Sequence, residues 1–259
     1  MNRTAKMRRS LTRIRHSRFV VPGAAAVLAA VLAMLVAQGV LWPNRLFAAR
    51  YDVHGIDVSH HNGDIDWDRV AAQDIDFAYV KATEGSAHTD ELFTENWVRA
   101  REAGLAVGAY HFLSFESSGE DQAANVVGTV PSAPDALPLV VDLEPYGPFT
   151  GNLPPAGEVR AILDPLLTAL EDHYGQPPVI YTTREAYDAY LAGSYRRNPV
   201  WIRAVALPPR LPDGRAWTIW QYSHRDTLDG VGQDAGAEPY VDMNVIDGTL
   251  AQLRADAGE

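Results

Sequence analysis

Residues 139–145 read LVVDLEP, an apolar run that ends in two carboxylates at positions i and i+2. A short apolar run bounded by prolines reads as a buried strand. On a strand, side chains at i and i+2 share one face, about 6.6–7 Å apart along the chain. Asp142 and Glu144 then stand side by side at the end of that strand. Burial and mutual repulsion push one of two such acids up in pKa and keep it protonated. A carboxylic acid beside a carboxylate is what cleavage of a glycosidic bond requires. Solvated strand-end acids, or an ion pair, are the plainer alternative.

Outward from this segment, short apolar runs alternate with amphipathic stretches. The pattern predicts strands over 53–59, 77–82, 106–111, 138–143, 178–182, 200–203, 217–222 and 240–245, and helices over 67–73, 91–103, 119–130, 157–174 and 184–191. Each of the first five strands is followed by a helix. The last three are joined by loops rich in Pro, Gly and Asp. Five β/α units imply an α/β fold with a parallel sheet. Eight strands in one domain of this size imply a closed, modified TIM-like barrel of five β/α units followed by three further strands. The rival is an open doubly wound sheet, which carries a phosphate-binding Gly-rich turn after its first strand. Here that turn, 59–64, reads SHHNGD.

The chain has 259 residues and no cysteine. Disulfides, thiolate metal sites and a thiol nucleophile are therefore excluded. Charge is uneven. Residues 1–50 hold nine Lys or Arg and no acid, whereas the rest holds 13 basic and 33 acidic side chains. So acidic a domain repels nucleic acid and anionic lipid surfaces. Residues 1–18 form a basic tail expected to be cytoplasmic. The uncharged stretch 19–43 is long enough to span a bilayer, and its basic N-terminal flank predicts an N-in, C-out orientation. The nearest cleavage candidate, around Leu46-Phe47-Ala48-Ala49, has a bulky residue at −3, which favours an uncleaved signal anchor over a cleaved signal peptide. Residues 44–50 then form a linker, and 51–259 an extracytoplasmic catalytic domain, membrane-anchored or secreted and monomeric.

Polar and aromatic residues recur at the predicted strand ends. The first strand carries Asp57, the third Tyr110 and His111, the fourth Asp142 and Glu144. The fifth carries Tyr181, the sixth Trp201, the seventh Trp220 and Tyr222, and the eighth Asp242. In a parallel barrel the C-terminal strand ends open on one face, where active sites sit. Carboxylates among Tyr and Trp rings describe a carbohydrate site, because an aromatic ring offers an apolar face to a sugar while keeping a polar edge.

The motifs GIDVSHHNG, AYVKATEG, AYHF, VVDLEP, IYT, IWQY and VDMN, in this order over about residues 53–250, resemble glycoside hydrolase family 25, the Chalaropsis-type lysozymes. The resemblance implies a barrel of five β/α units with three further strands, and N-acetylmuramidase activity on the glycan strands of peptidoglycan. It implies an acidic quartet of Asp57, Asp142, Glu144 and Asp242. Glu144 is matched to the general acid, and Asp142 to the partner that orients the substrate N-acetyl group or assists water. Tyr110, Tyr181, Trp201, Trp220, Tyr222 and His60 are the candidate substrate contacts. One departure stands out: the sixth strand usually runs from Trp-Ile or Trp-Leu to a small residue, but here it reads Trp201-Ile202-Arg203.

His60, His61 and His111 lack HExxH-type spacing, so neither a metal nor another cofactor is expected. Lys81 and Glu84 read as a strand-end ion pair. Two rivals remain. One is a non-catalytic glycan-binding protein on the same barrel, which would be expected to have lost an acid. The other is a metal-dependent glycan deacetylase, whose activity a chelator would remove.

Overall fold

A computed structural model describes residues 11–37 and 43–256. The chain divides into two compact units, Met1–Pro43 and Asn44–Glu259. The first holds helix α1 (Leu11–Ala37). Among the described residues no helix is long and apolar enough to cross a membrane. The uncharged stretch expected to do so continues through 38–42, and most of the basic tail precedes residue 11; both parts lie outside the described residues.

The second unit is a closed barrel. Its strands are β1 (His54–Val58), β2 (Phe77–Glu84), β3 (His88–Thr89), β4 (Ala106–Phe112), β5 (Val140–Leu143), β6 (Val179–Thr183), β7 (Val200–Arg203), β8 (Ile219–Asp226) and β9 (Val241–Ile246). The ring runs β1-β2-β4-β5-β6-β7-β8-β9 and closes from β9 to β1. Strand β9 is antiparallel to both neighbours, and every other pairing in the ring is parallel. The two-residue β3 only pairs with the end of β2. Helices α3 (Trp67–Ala71), α4 (Phe93–Glu102), α5 (Gly119–Thr129), α6 (Ala156–Tyr174) and α7 (Arg184–Ala186), the last continued by a π-turn over Tyr187–Leu191, follow the predicted positions. Local signals set their ends: Asp66 and Ser118 accept from the backbone N–H three residues on, and Gly175 ends α6 in the left-handed region at φ 77°.

Alternation along the strands sorts side chains into two cores. Phe77, Tyr79, Val179, Tyr181, Trp201, Ile219 and Ile246 pack inside the barrel. Val58, Ile180, Ile202 and Trp220 face the surrounding helices. Glycines make room for the inner rings. Gly55 lies opposite Phe77 and Gly108 opposite Tyr79 in the neighbouring strands. A Cβ on either would come within 2.4 Å of the Phe77 ring or 2.2 Å of the Tyr79 ring. A final helix, α8 (Leu250–Asp256), not foreseen from sequence, sends Leu253 into the inner core at the end where Phe77 and Ile219 begin their strands.

Residues 44–50 are not a free linker. Helix α2 (Asn44–Ala48) belongs to the barrel unit, with Asn44 and Ala48 buried. The Asn44 amide donates to the carbonyls of Ala204 (2.8 Å) and Tyr222 (3.3 Å), and Arg45 pairs with Asp226. An asparagine that satisfies two remote backbone acceptors is invisible to a reading of local composition.

Candidate active site

Four carboxyls meet at one mouth of the barrel. Asp57 comes from β1, Asp142 from β5, Glu144 from the residues just after β5, and Asp242 from β9. Asp57 and Asp242 are directly opposed in the β1–β9 pair. All four line one cavity of about 250 Å³, together with Tyr110, Tyr181 and Trp201.

Asp57 is the best-supported of the four. It accepts from Asn244 Nδ2 (2.7 Å) and from Gln221 Nε2 (3.2 and 3.3 Å). Asn244 Oδ1 in turn accepts from the Trp201 indole (2.9 Å), and Gln221 Oε1 from the Tyr181 hydroxyl (3.0 Å). The two aromatic residues are thus locked in place by the same amides that hold Asp57. Burial raises the Asp57 pKa, and the amide hydrogen bonds oppose it. Asp242 is pushed up to about 9, first by burial and then by the charge of Asp57, to which it is hydrogen-bonded. A protonated Asp242 donating to Asp57 satisfies both groups.

Asp142 lies well above the usual carboxylate range, first because it is buried, then because Glu144 and Asp57 are close. Its Oδ1 is buried with no hydrogen-bond partner among the described residues. Glu144 is raised too, by burial and then by Asp57, while Arg203, the Tyr181 hydroxyl and Lys81 pull it back. Sequence suggests an ionised Asp142 beside a protonated Glu144. In the structure burial lifts Asp142 as well as Glu144, and Asp142 is the more deeply buried of the two.

Not every candidate contact reaches this cavity. Gln221 points into the barrel, so its neighbours Trp220 and Tyr222 point out. Trp220 is fully buried in the outer core and donates its indole N–H to the Ala204 carbonyl. Tyr222 packs edge-on against it and lines an outer pocket with Arg45 and Met243. His60 is held by Asp90 (Nδ1 to Oδ2, 2.7 Å), and its neighbour His61 lines the acid cavity instead. His111 is buried between Thr83 (2.8 Å) and Gln122 (3.0 Å), with its pKa lowered to about 4 by burial. Lys81 is paired with Glu84 (2.6 Å), as expected, yet it also lines the cavity and stands over the Phe112 ring. The structure adds His61, Phe112, Gln221 and Asn244 to the site. The alternation that places Asp242 at the mouth also points to Asn244, and the pairing of Gln221 with Asn244 turns Gln221 inward on β8.

Comparison with known proteins follows this geometry. The family model of glycosyl hydrolases family 25 matches residues 56–231. A solved family 25 glycosyl hydrolase from Bacillus anthracis superposes with a TM-score of 0.74 at 41% identity, covering 80% of this chain and 94% of that one. Lysozyme M1 of Streptomyces globisporus is 34% identical over 214 residues, 78% of this chain and 70% of its own length. The uncharacterised protein YegX of Escherichia coli (strain K12) is 36% identical over 222 residues, 82% of this chain and 78% of its own. With its model matched from β1 to the loop before β9 and the barrel shared with a solved member, this chain belongs to glycosyl hydrolases family 25.

Proposed function

We propose that the chain is a peptidoglycan muramidase that hydrolyses the β-1,4 bond between N-acetylmuramic acid and N-acetylglucosamine. The observation that carries this is the carboxyl cluster at the barrel mouth, with its proton-rich acids and the unpartnered Asp142 Oδ1. A lysozyme among the relatives supports the same bond. In this proposal Glu144 is the general acid for the glycosidic oxygen. Asp142 Oδ1 accepts the N–H of the substrate's 2-acetamido group. That hydrogen bond favours the ionised form of Asp142, and the proton it gives up passes to Glu144, which the bound sugar shields from water. Asp57 and Asp242 hold the shared charge in place, and Tyr110, Tyr181 and Trp201 give the sugar its apolar surfaces. His60 and His111 are committed to Asp90, Thr83 and Gln122, so the charge chemistry falls to the carboxyls.

Peptidoglycan as substrate puts the barrel outside the cytoplasm. Attachment through residues 19–43, N-in and C-out, is the corresponding proposal for the N-terminus. It rests on the uncharged stretch and its basic flank in the sequence. The barrel is proposed to act as a monomer.

Glu144→Gln tests the chemistry. Gln keeps the shape but has no proton to transfer, so turnover on purified peptidoglycan is expected to fall about 10²–10⁴-fold. Mass spectrometry of the parent's products should show reducing-end N-acetylmuramic acid. Turnover of the variant within a few-fold of the parent, or reducing-end N-acetylglucosamine, would count against the assignment.

A further inference from the structure

A second cavity, of about 560 Å³, adjoins the first and shares Glu144 with it. Its walls are different in kind. The acid cavity is lined by Tyr110, Phe112, Tyr181 and Trp201, whereas no aromatic residue lines the second. Leu207, Pro208 and Pro209 give it apolar walls, and Arg203 and Arg210 face it. Arg203 continues the inward-facing row of Trp201 on β7, which brings it to the barrel mouth. Among the described residues neither guanidinium has a hydrogen bond or an ion pair. Arg184 also lines the cavity, but it is held by Asp188 (2.8 and 2.9 Å) and donates to the Arg210 carbonyl (3.0 Å), which pins the loop carrying Arg210. Glu185 is the one further acid on its walls besides Glu144.

A sugar ring seeks an aromatic face, and this cavity has none. Apolar walls with two guanidinium groups that make no hydrogen bond, Arg203 beside the acids of the first cavity and Arg210 apart from them, suit a short peptide bearing carboxylates, which arginine binds through paired N–H groups. The chemistry of peptidoglycan supplies one. Its peptide hangs from the muramic acid ring, the ring whose glycosidic bond Glu144 would protonate, so the peptide must leave the acid cavity close to Glu144. Residues 51–259 carry 13 basic and 33 acidic side chains, and so acidic a surface repels an anionic stem unless cations meet it locally. We propose that this cavity is a subsite for the carboxylate-bearing peptide stem of the glycan strand, with Arg203 and Arg210 as its recognition groups. The proposal rests on the muramidase reading.

The test uses the full chain and peptidoglycan stripped of phosphate polymers, either untreated or with its carboxylates converted to methylamides by carbodiimide and methylamine. The parent is expected to cleave the untreated form with a kcat/KM about tenfold to a hundredfold higher, the size of one hydrogen bond between charged groups. Arg210→Gln and Arg203→Gln should each shrink that ratio, and the double variant should bring it near one. Arg203→Gln also alters the charge around Glu144, but that changes both substrates alike, so the ratio reads the subsite. Arg210 is exposed, and Arg210→Gln alone carries the test if the Arg203 variant folds poorly. A parent without preference, or variants that keep it, would overturn the subsite. So would an arginine dependence seen only on walls that retain phosphate polymer. A parent that cleaves neither form at all removes the muramidase assignment instead.

Discussion

Asp242 shows how a single carboxyl ties chemistry to stability. Burial and the charge of Asp57 lift its pKa to about 9 in the fold, against an ordinary value of 3.8. Between those two values the native state binds a proton that the unfolded chain releases. Stability therefore falls as pH rises through that window, and the contribution is fully present only below the lower value. An Asn at 242 keeps a donor for Asp57 and needs no proton. Asp242→Asn is expected to raise the melting temperature by about 2–4 °C at pH 7.5, the shift that about 1 kcal/mol gives a domain of this size. The gain should vanish as pH approaches 4. Calorimetry across pH 4–8 checks both parts, and an unchanged midpoint at pH 7.5, or a gain that grows with acidity, would mean that Asp242 is ionised in the fold.

Helix α2 turns a presumed linker into part of the barrel wall. Asn44 is fully buried, and its amide satisfies the carbonyls of Ala204, in the β7–β8 connection, and Tyr222, on β8. Deleting that amide removes the side-chain donor of the buried Tyr222 carbonyl, at about 1–3 kcal/mol for such a group, while the Ala204 carbonyl keeps the Trp220 indole N–H. Asn44→Ala should therefore lower the melting temperature by several degrees, at about 2–4 °C per kcal/mol, while Arg50→Ala, on an exposed side chain, should leave it alone. Equal midpoints for parent and Asn44→Ala would restore 44–50 as a tether. The same β7–β8 connection lines the second cavity, so α2 braces the end of the barrel that carries both cavities.

At the scale of the whole molecule, closure of the sheet is what assembles the site. β9 runs against its neighbours, so its first residues, including Asp242, lie beside the last residues of β1 and reach the same mouth as Asp142 and Glu144. The complete chain, anchored as proposed, should sediment with membranes and expose the barrel to protease from outside. N-terminal sequencing of the exported protein that begins near Ala49 or Arg50 would show a cleaved signal instead. The eight barrel strands, the five helices between them, the barrel class and the gathering of Asp57, Asp142, Glu144 and Asp242 at one mouth were legible in the sequence. They follow from local periodicity, from the i,i+2 spacing of Asp142 and Glu144 on one strand face, and from the strand-end positions and family resemblance that place Asp57 and Asp242. Which residues of β8 look inward, why His61 and not His60 meets the cavity, how Asn44 and Leu253 complete the cores, and how burial lifts the carboxyls together were decided only by tertiary structure. Each depends on the sum of neighbours brought together from distant parts of the chain, as Gln221 and Asn244 are brought onto Asp57, and no local pattern encodes that sum.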